Sequence, residues 1–186
     1  MPKVMVPLGT GFEELEAVAL IDVMRRGGID VTVASVKGEP EVEGAHGITI
    51  RCDRAASEVS AGDIDMIVLP GGWGGTNVLA EDAHIQSLLK AMDSEGKMIG
   101  AICAAPFALH KAGVLKPDFT CYPSVEEQIR TEGYQGDRAQ VVYDGNVMTS
   151  RGPGTALCFG LQIVKKLVGE TTYAQLKEGL LATYCE

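Results

Sequence analysis

The stretch Met98-Ile99-Gly100-Ala101-Ile102-Cys103-Ala104-Ala105-Pro106 decides how this chain is read. Its first five residues are apolar or small, as a strand buried on both faces requires. Ala104 to Lys111 then reads as a helix, with Pro106 in the first turn, where a missing N–H costs nothing. Cys103 therefore falls at a strand-to-helix corner, and Ala101 and Ala105 are small enough to let that corner be sharp. This is the layout of a nucleophile elbow, written with a thiol in place of a serine. A cysteine so placed faces a helix N-terminus, whose dipole and free N–H groups favour thiolate over thiol. The ordinary alternative is a small buried hydrophobe, the fate of most free cysteines.

Strand and helix signals alternate on both sides of this corner. Lys3 to Leu8, Val31 to Val36 and Ile64 to Pro70 read as strands, with a weaker one at Ile48 to Cys52. Glu13 to Arg26 reads as an amphipathic helix, with Leu15, Val18, Ala19, Asp22 and Val23 at helical spacing and Gly27-Gly28 as its stop. Helices are expected near Thr76–Ala80 and Ile85–Ser94, and over Ala156–Val168 and Thr172–Leu181. Phe119 to Pro123 reads as a short strand, and Asp144-Gly145 as the turn of a hairpin. The pattern implies an α/β fold in one domain over 1–186, a mostly parallel sheet with helices on both faces. In such folds ligands bind beyond the carboxyl ends of the strands. Three suggestive loops lie there: Gly9-Thr10-Gly11-Phe12-Glu13-Glu14-Leu15-Glu16, Pro70-Gly71-Gly72-Trp73-Gly74-Gly75, and the Cys103 corner.

Composition narrows the function classes. The chain has 186 residues, 46% hydrophobic and 22% charged, with a net charge of −9 and no basic cluster, which argues against nucleic acid. No signal-peptide pattern or bilayer-length apolar run is present, which argues against a membrane. The five cysteines (Cys52, Cys103, Cys121, Cys158, Cys185) are odd in number and lack C-x-x-C spacing. That predicts neither a disulfide framework nor a zinc site, and a reducing, cytoplasmic home.

Gly9-x-Gly11 is a poor dinucleotide signature, because Glu14 stands where a third glycine is needed and Glu13, Glu14 and Glu16 would oppose a pyrophosphate. Acidic residues in a first helical turn commonly just complement the dipole. Three exceed that need, and Glu16 is placed to point inward while Glu13 and Glu14 stay wet. A carboxyl buried beside a thiolate has its pKa raised and can serve as acid and base. Gly71 and Gly72 let backbone approach a substrate, and the Gly72 and Ala104 N–H groups are candidates for an oxyanion hole. No histidine partners the thiol: His110 is seven residues on, about 10 Å along the helix axis. His46 and His84 read as exposed, and no two histidines have metal-ligand spacing.

Taken together, Phe12-Glu13-Glu14-Leu15-Glu16, Leu69-Pro70-Gly71-Gly72, Ala101-Ile102-Cys103-Ala104-Ala105-Pro106 and Thr149-Ser150-Arg151-Gly152-Pro153-Gly154-Thr155-Ala156 resemble the ThiJ/PfpI family. The closest likeness is to its Parkinsonism-linked protein deglycase branch and bacterial relatives. The resemblance implies a flavodoxin-like three-layer sandwich, a homodimer and no cofactor. Carried over by motif, it makes Cys103 the nucleophile, Glu16 its protonated carboxyl partner, and Gly72 with Ala104 the backbone donors. Gly71 and Gly154, in loops of the family's site, would line it. So would Arg26, matching a helix-ending arginine able to hold an anion. Two positions depart from the family: Tyr122 precedes Pro123 where a histidine is common, and His46 precedes Gly47 where relatives often place an arginine.

The resemblance implies an enzyme acting on methylglyoxal, glyoxal or their early protein adducts, a glyoxalase or deglycase tied to carbonyl and oxidative stress. The second reading is a non-catalytic redox sensor or stress chaperone working through oxidation of Cys103. An intracellular cysteine peptidase ranks last, since Tyr122 is a poor base at neutral pH.

Overall fold

The computed structural model describes residues 1–186. Seven strands form one sheet: β1 (Lys3–Leu8), β2 (Asp30–Ser35), β5 (Arg54–Ala55), β6 (Met66–Leu69), β7 (Met98–Ile102), β8 (Val141–Asp144) and β9 (Val147–Ser150). Their spatial order is β5-β2-β1-β6-β7-β9-β8, and every pairing is parallel except the β8–β9 hairpin. The remaining strands, β3 (Glu41–Glu43) and β4 (Thr49–Arg51), make a separate antiparallel ribbon.

The central strands are apolar at consecutive positions because both faces are covered. On one face lie α1 (Glu14–Arg26), α5 (Ala156–Leu167) and α6 (Glu170–Gly179), whose core includes Leu20, Met24, Phe159 and Val164. On the other lie α2 (Trp73–Glu81), α3 (Ala83–Ser94) and α4 (Pro106–Ala112), packed through Leu79, Ile85, Leu89 and Leu109. This is the flavodoxin-like sandwich. Between β1 and β6 the chain switches direction across the sheet, since β2 pairs on one side of β1 and β6 on the other. A crevice opens at such a switch point beyond the strand ends. No helix is long and apolar enough to cross a membrane.

Several expectations need correction. Phe119 to Pro123 is not a strand. It passes over the ends of β7 and β9, where the Thr120 N–H donates to Thr149 Oγ1 (2.9 Å) and the Tyr122 N–H to the Cys103 carbonyl (2.9 Å). The Ile48–Cys52 strand exists but belongs to the ribbon, not the sheet. The helix after Cys103 starts at Pro106 rather than Ala104, because Ala104 and Ala105 complete the corner. In α1 the buried side is Glu16, Ala17, Leu20, Ile21, Val23 and Met24, whereas Leu15 and Val18 face outward, 66% and 49% exposed. Periodicity found that helix but not which of its two apolar stripes meets the sheet.

The cysteine count also misled. Cys158 on α5 and Cys185 at the C-terminus form a disulfide. Twenty-seven residues separate them, and only the return of the chain through α6 brings them together. The inference of a reducing compartment loses the support it drew from that count. Phe159, fully buried, closes over the strand position of Gly100. Phe159→Ala is expected to cost about 3–5 kcal/mol in chemical denaturation; a loss under about 1 kcal/mol would show that this face of the core collapses freely around the gap.

Candidate active site

Three loops meet at the switch point. After β1, Glu13 caps α1, its Oε2 accepting the Glu16 N–H at 2.8 Å. That cap fixes the first turn, and Glu16 points inward with no exposure to water. Its Oε2 accepts the Gly71 N–H at 2.7 Å, while Oε1 is buried with no hydrogen-bonded nitrogen or oxygen. Gly71 admits no side chain: a Cβ there would stand 2.7 Å from both Cys103 Cβ and Glu16 Oε2. Gly72 takes φ +83°, which glycine adopts at no steric cost.

Cys103 itself has φ +65°, a strained conformation for a residue with a side chain. Two backbone bonds hold it there. Its N–H donates to the Ser150 carbonyl at 3.1 Å, and its carbonyl accepts the Tyr122 N–H at 2.9 Å. The Gly72 and Ala104 N–H groups stand near enough to the sulfur to pull its pKa down.

Burial acts on the carboxyl and the thiol alike. Burial pushes the Glu16 carboxyl up to about 7, against the opposing pull of hydrogen bonds from Cys103 and Gly71. Burial likewise pushes the Cys103 thiol up, a charged Glu16 pushes it further, and the Gly72 and Ala104 donors pull it down. Burial, the largest of these influences, holds the Cys103 thiol well above the usual thiol range, the reverse of the thiolate expected at a helix N-terminus, and a charged Glu16 adds to that cost. The geometry unites Cys103, Glu16, Gly71, Gly72 and Ala104.

Other candidates stand at varied distances from this centre. Tyr122 is half exposed, its ring packed over Gly152, and with Arg151 and Gly154 it lines a shallow hollow of about 270 Å³. Arg26 is not in the site: it lies at the far end of α1, exposed and paired with Asp22 at 3.0 Å. Glu14 is not wet as expected but 4% exposed, receiving the His46 N–H (2.6 Å) and the His46 ring at Nδ1 (2.9 Å). Burial alone would raise the Glu14 carboxyl, but hydrogen bonds from His46 and Ile48 prevail and hold it below the usual carboxylate range. The same contact holds the His46 imidazole above its ordinary value. His46 thus pins the ribbon to α1. Glu13, Glu14 and His46 bring three potential metal-ligand atoms within 4.8 Å of one another, though Glu13 is engaged in capping and Glu14 in binding the ribbon. Sequence reasoning missed the Ser150 carbonyl, because a backbone acceptor leaves no side-chain signature.

The sequence profile of the DJ-1/PfpI family matches residues 2–166. The chain belongs to the DJ-1/PfpI family. It is 41% identical over 181 residues to the Drosophila melanogaster protein dj-1beta, covering 97% of each chain. The crystal structure of Drosophila melanogaster DJ-1beta superposes with a TM-score of 0.93 over 97% of both chains. A Caenorhabditis elegans relative named glutathione-independent glyoxalase DJR-1.2 is 40% identical over 171 residues, 91% of each chain.

A buried acid whose folded pKa is raised favours the native state at low pH and loses that advantage as pH climbs. Stability attributable to Glu16 should thus fall between about pH 4.5 and about 7. Denaturation across that range should show wild type losing stability relative to Glu16→Gln; parallel curves would mean that Glu16 has the same proton affinity folded and unfolded.

Proposed function

We propose that this protein is a cysteine-dependent enzyme acting on methylglyoxal, glyoxal or their early protein adducts. The observation that carries this reading is Cys103 held at φ +65° at a strand-to-helix corner, with the backbone N–H groups of Gly72 and Ala104 near its sulfur and a protonatable carboxyl that exposes no atom to water beside it. The relative named as a glyoxalase supports the same direction.

The chemistry runs as an internal redox reaction. The Cys103 thiolate adds to the aldehyde carbon, and Glu16 gives its proton to the new oxyanion, yielding a hemithioacetal. The Glu16 carboxylate then removes the hydrogen on that carbon and returns a proton to the neighbouring carbonyl carbon through an enediol. The former aldehyde carbon is now an oxidised thioester, and the ketone has been reduced to an alcohol. Water hydrolyses the thioester, releasing lactate from methylglyoxal and restoring the thiol. Gly72 and Ala104 steady charge at the reacting centre. The scheme uses no cofactor. A tyrosine phenol such as that of Tyr122 is a poor base at neutral pH, so both proton transfers fall to Glu16.

Oxidation of Cys103 under a sensor role is the second reading, favoured by the absence of a histidine beside the sulfur. Lactate formation separates the two. Cys103→Ala is expected to abolish it, and Glu16→Gln to lower kcat by about 10²-fold or more. Wild-type protein that yields no lactate above the Cys103→Ala background leaves the sensor reading in place.

The reading includes a homodimer formed through the outward stripe of α1. Leu15, Val18 and Ile48 are exposed there and, with His46, border a concave surface of about 540 Å³. Val18→Asp should convert a dimer into a monomer in light scattering with its far-ultraviolet spectrum unchanged. An undisturbed dimer would place the interface elsewhere.

A further inference from the structure

The segment after α6 is mostly exposed. Leu181, Tyr184 and Glu186 are exposed, and of the last six residues only Ala182 and Cys185 are buried. The segment is fastened by the Cys158–Cys185 disulfide and a small set of hydrogen bonds. Gln140 Nε2 donates to the Tyr184 carbonyl (2.9 Å), the Glu186 N–H donates to Gln140 Oε1 (3.0 Å), and Tyr173 donates to the Glu186 carbonyl (2.8 Å).

Those contacts do not end at the tail. The Gln140 carbonyl accepts the Ser150 hydroxyl at 2.6 Å, and Ser150 Oγ lies 2.8 Å from Thr155 Oγ1. Thr155 Oγ1 in turn accepts the N–H groups of Arg151 (3.3 Å) and Gly152 (3.2 Å). Ser150 is also the residue whose carbonyl holds the Cys103 N–H. Cys158 belongs to the first turn of α5, three residues beyond Thr155. The disulfide therefore braces, from both ends, the loop that fixes the strained Cys103 backbone.

We propose that Cys158 and Cys185 form a redox-operated latch that sets the order of the 150–155 loop and so the reactivity of Cys103. Closing it takes two thiols and a two-electron oxidant. With a peroxide, one thiol is oxidised to a sulfenic acid with loss of water; the second attacks that sulfur, forming the S–S bond and releasing another water. With a small disulfide, two exchange steps give the protein disulfide and two free thiols. A dithiol reverses the process and ends as a disulfide itself. Both sulfurs are buried, at 1% and 2% residue exposure, so a reductant reaches them only when the tail lifts. Once reduced, the tail keeps its hydrogen bonds but loses its covalent anchor. The proposal deepens the Cys103 reading above, yet its test does not depend on turnover.

The test compares wild-type protein equilibrated with oxidised glutathione against the same protein held in a phosphine reductant. Peptide mapping without reduction should find Cys158 joined to Cys185 only in the first sample. Hydrogen exchange should be about tenfold faster or more in the reduced form at 181–186 and at 150–155. Iodoacetamide labelling of Cys103 should change rate between the two forms. Cys185→Ser, and independently Cys158→Ala, should match the reduced form in either buffer. Failure of the cross-link to form, or identical exchange at 150–155 in both redox states, would overturn the latch. A latch that responds while no form makes lactate would instead remove the enzyme reading and keep this one.

Discussion

A carboxyl group sealed from water at the junction of three loops constrains everything around it. Glu16 enters that position because Glu13 caps α1 and directs the first turn inward. Its Oε2 is bound by the Gly71 N–H, which ties α1 to the end of β6. A buried carboxylate with a single N–H donor is costly, so the group holds a proton to near-neutral pH beside the Cys103 sulfur. Gly71 lacks a side chain because any Cβ would collide with both partners. The pair is thus a product of the sheet's switch point rather than of any one element.

The strain at Cys103 belongs to the same arrangement. A left-handed backbone angle on a non-glycine residue persists only when its surroundings over-determine it. Ser150 from β9 and Tyr122 from the segment crossing the strand ends supply that restraint through backbone bonds. Reactivity at the sulfur is therefore coupled to the order of the 150–155 loop and, through Gln140, to the C-terminal tail. Two cysteine settings meet in one chain: a half-buried elbow thiol and a buried disulfide.

Much of this was legible in the sequence, and for identifiable reasons. Buried parallel strands announce themselves as continuous apolar runs, and the cysteine corner combines such a run with Pro106 at a helix start. Glu16 stood out because a dipole does not need three acids. What failed depended on long-range geometry. Leu15 and Val18 have the periodicity of a core face, yet the sheet took the other stripe. Arg26 matched a motif but lies a helix length from the sulfur. Glu14 gained its burial from His46, 32 residues away on the ribbon, and Cys158 met Cys185 only after a full helical return. No local pattern carries such meetings.

The central claim is that Glu16 carries a proton under conditions in which an ordinary glutamate has lost it. Infrared difference spectroscopy of the intact protein at pH about 6, with Glu16→Gln as the reference, tests it directly. The account predicts a protonated-carboxyl stretching band in the wild type that is missing from the variant. A wild-type spectrum without that band would mean that Glu16 is ionised beside the sulfur, and the protonated-Glu16 account of this site would be wrong.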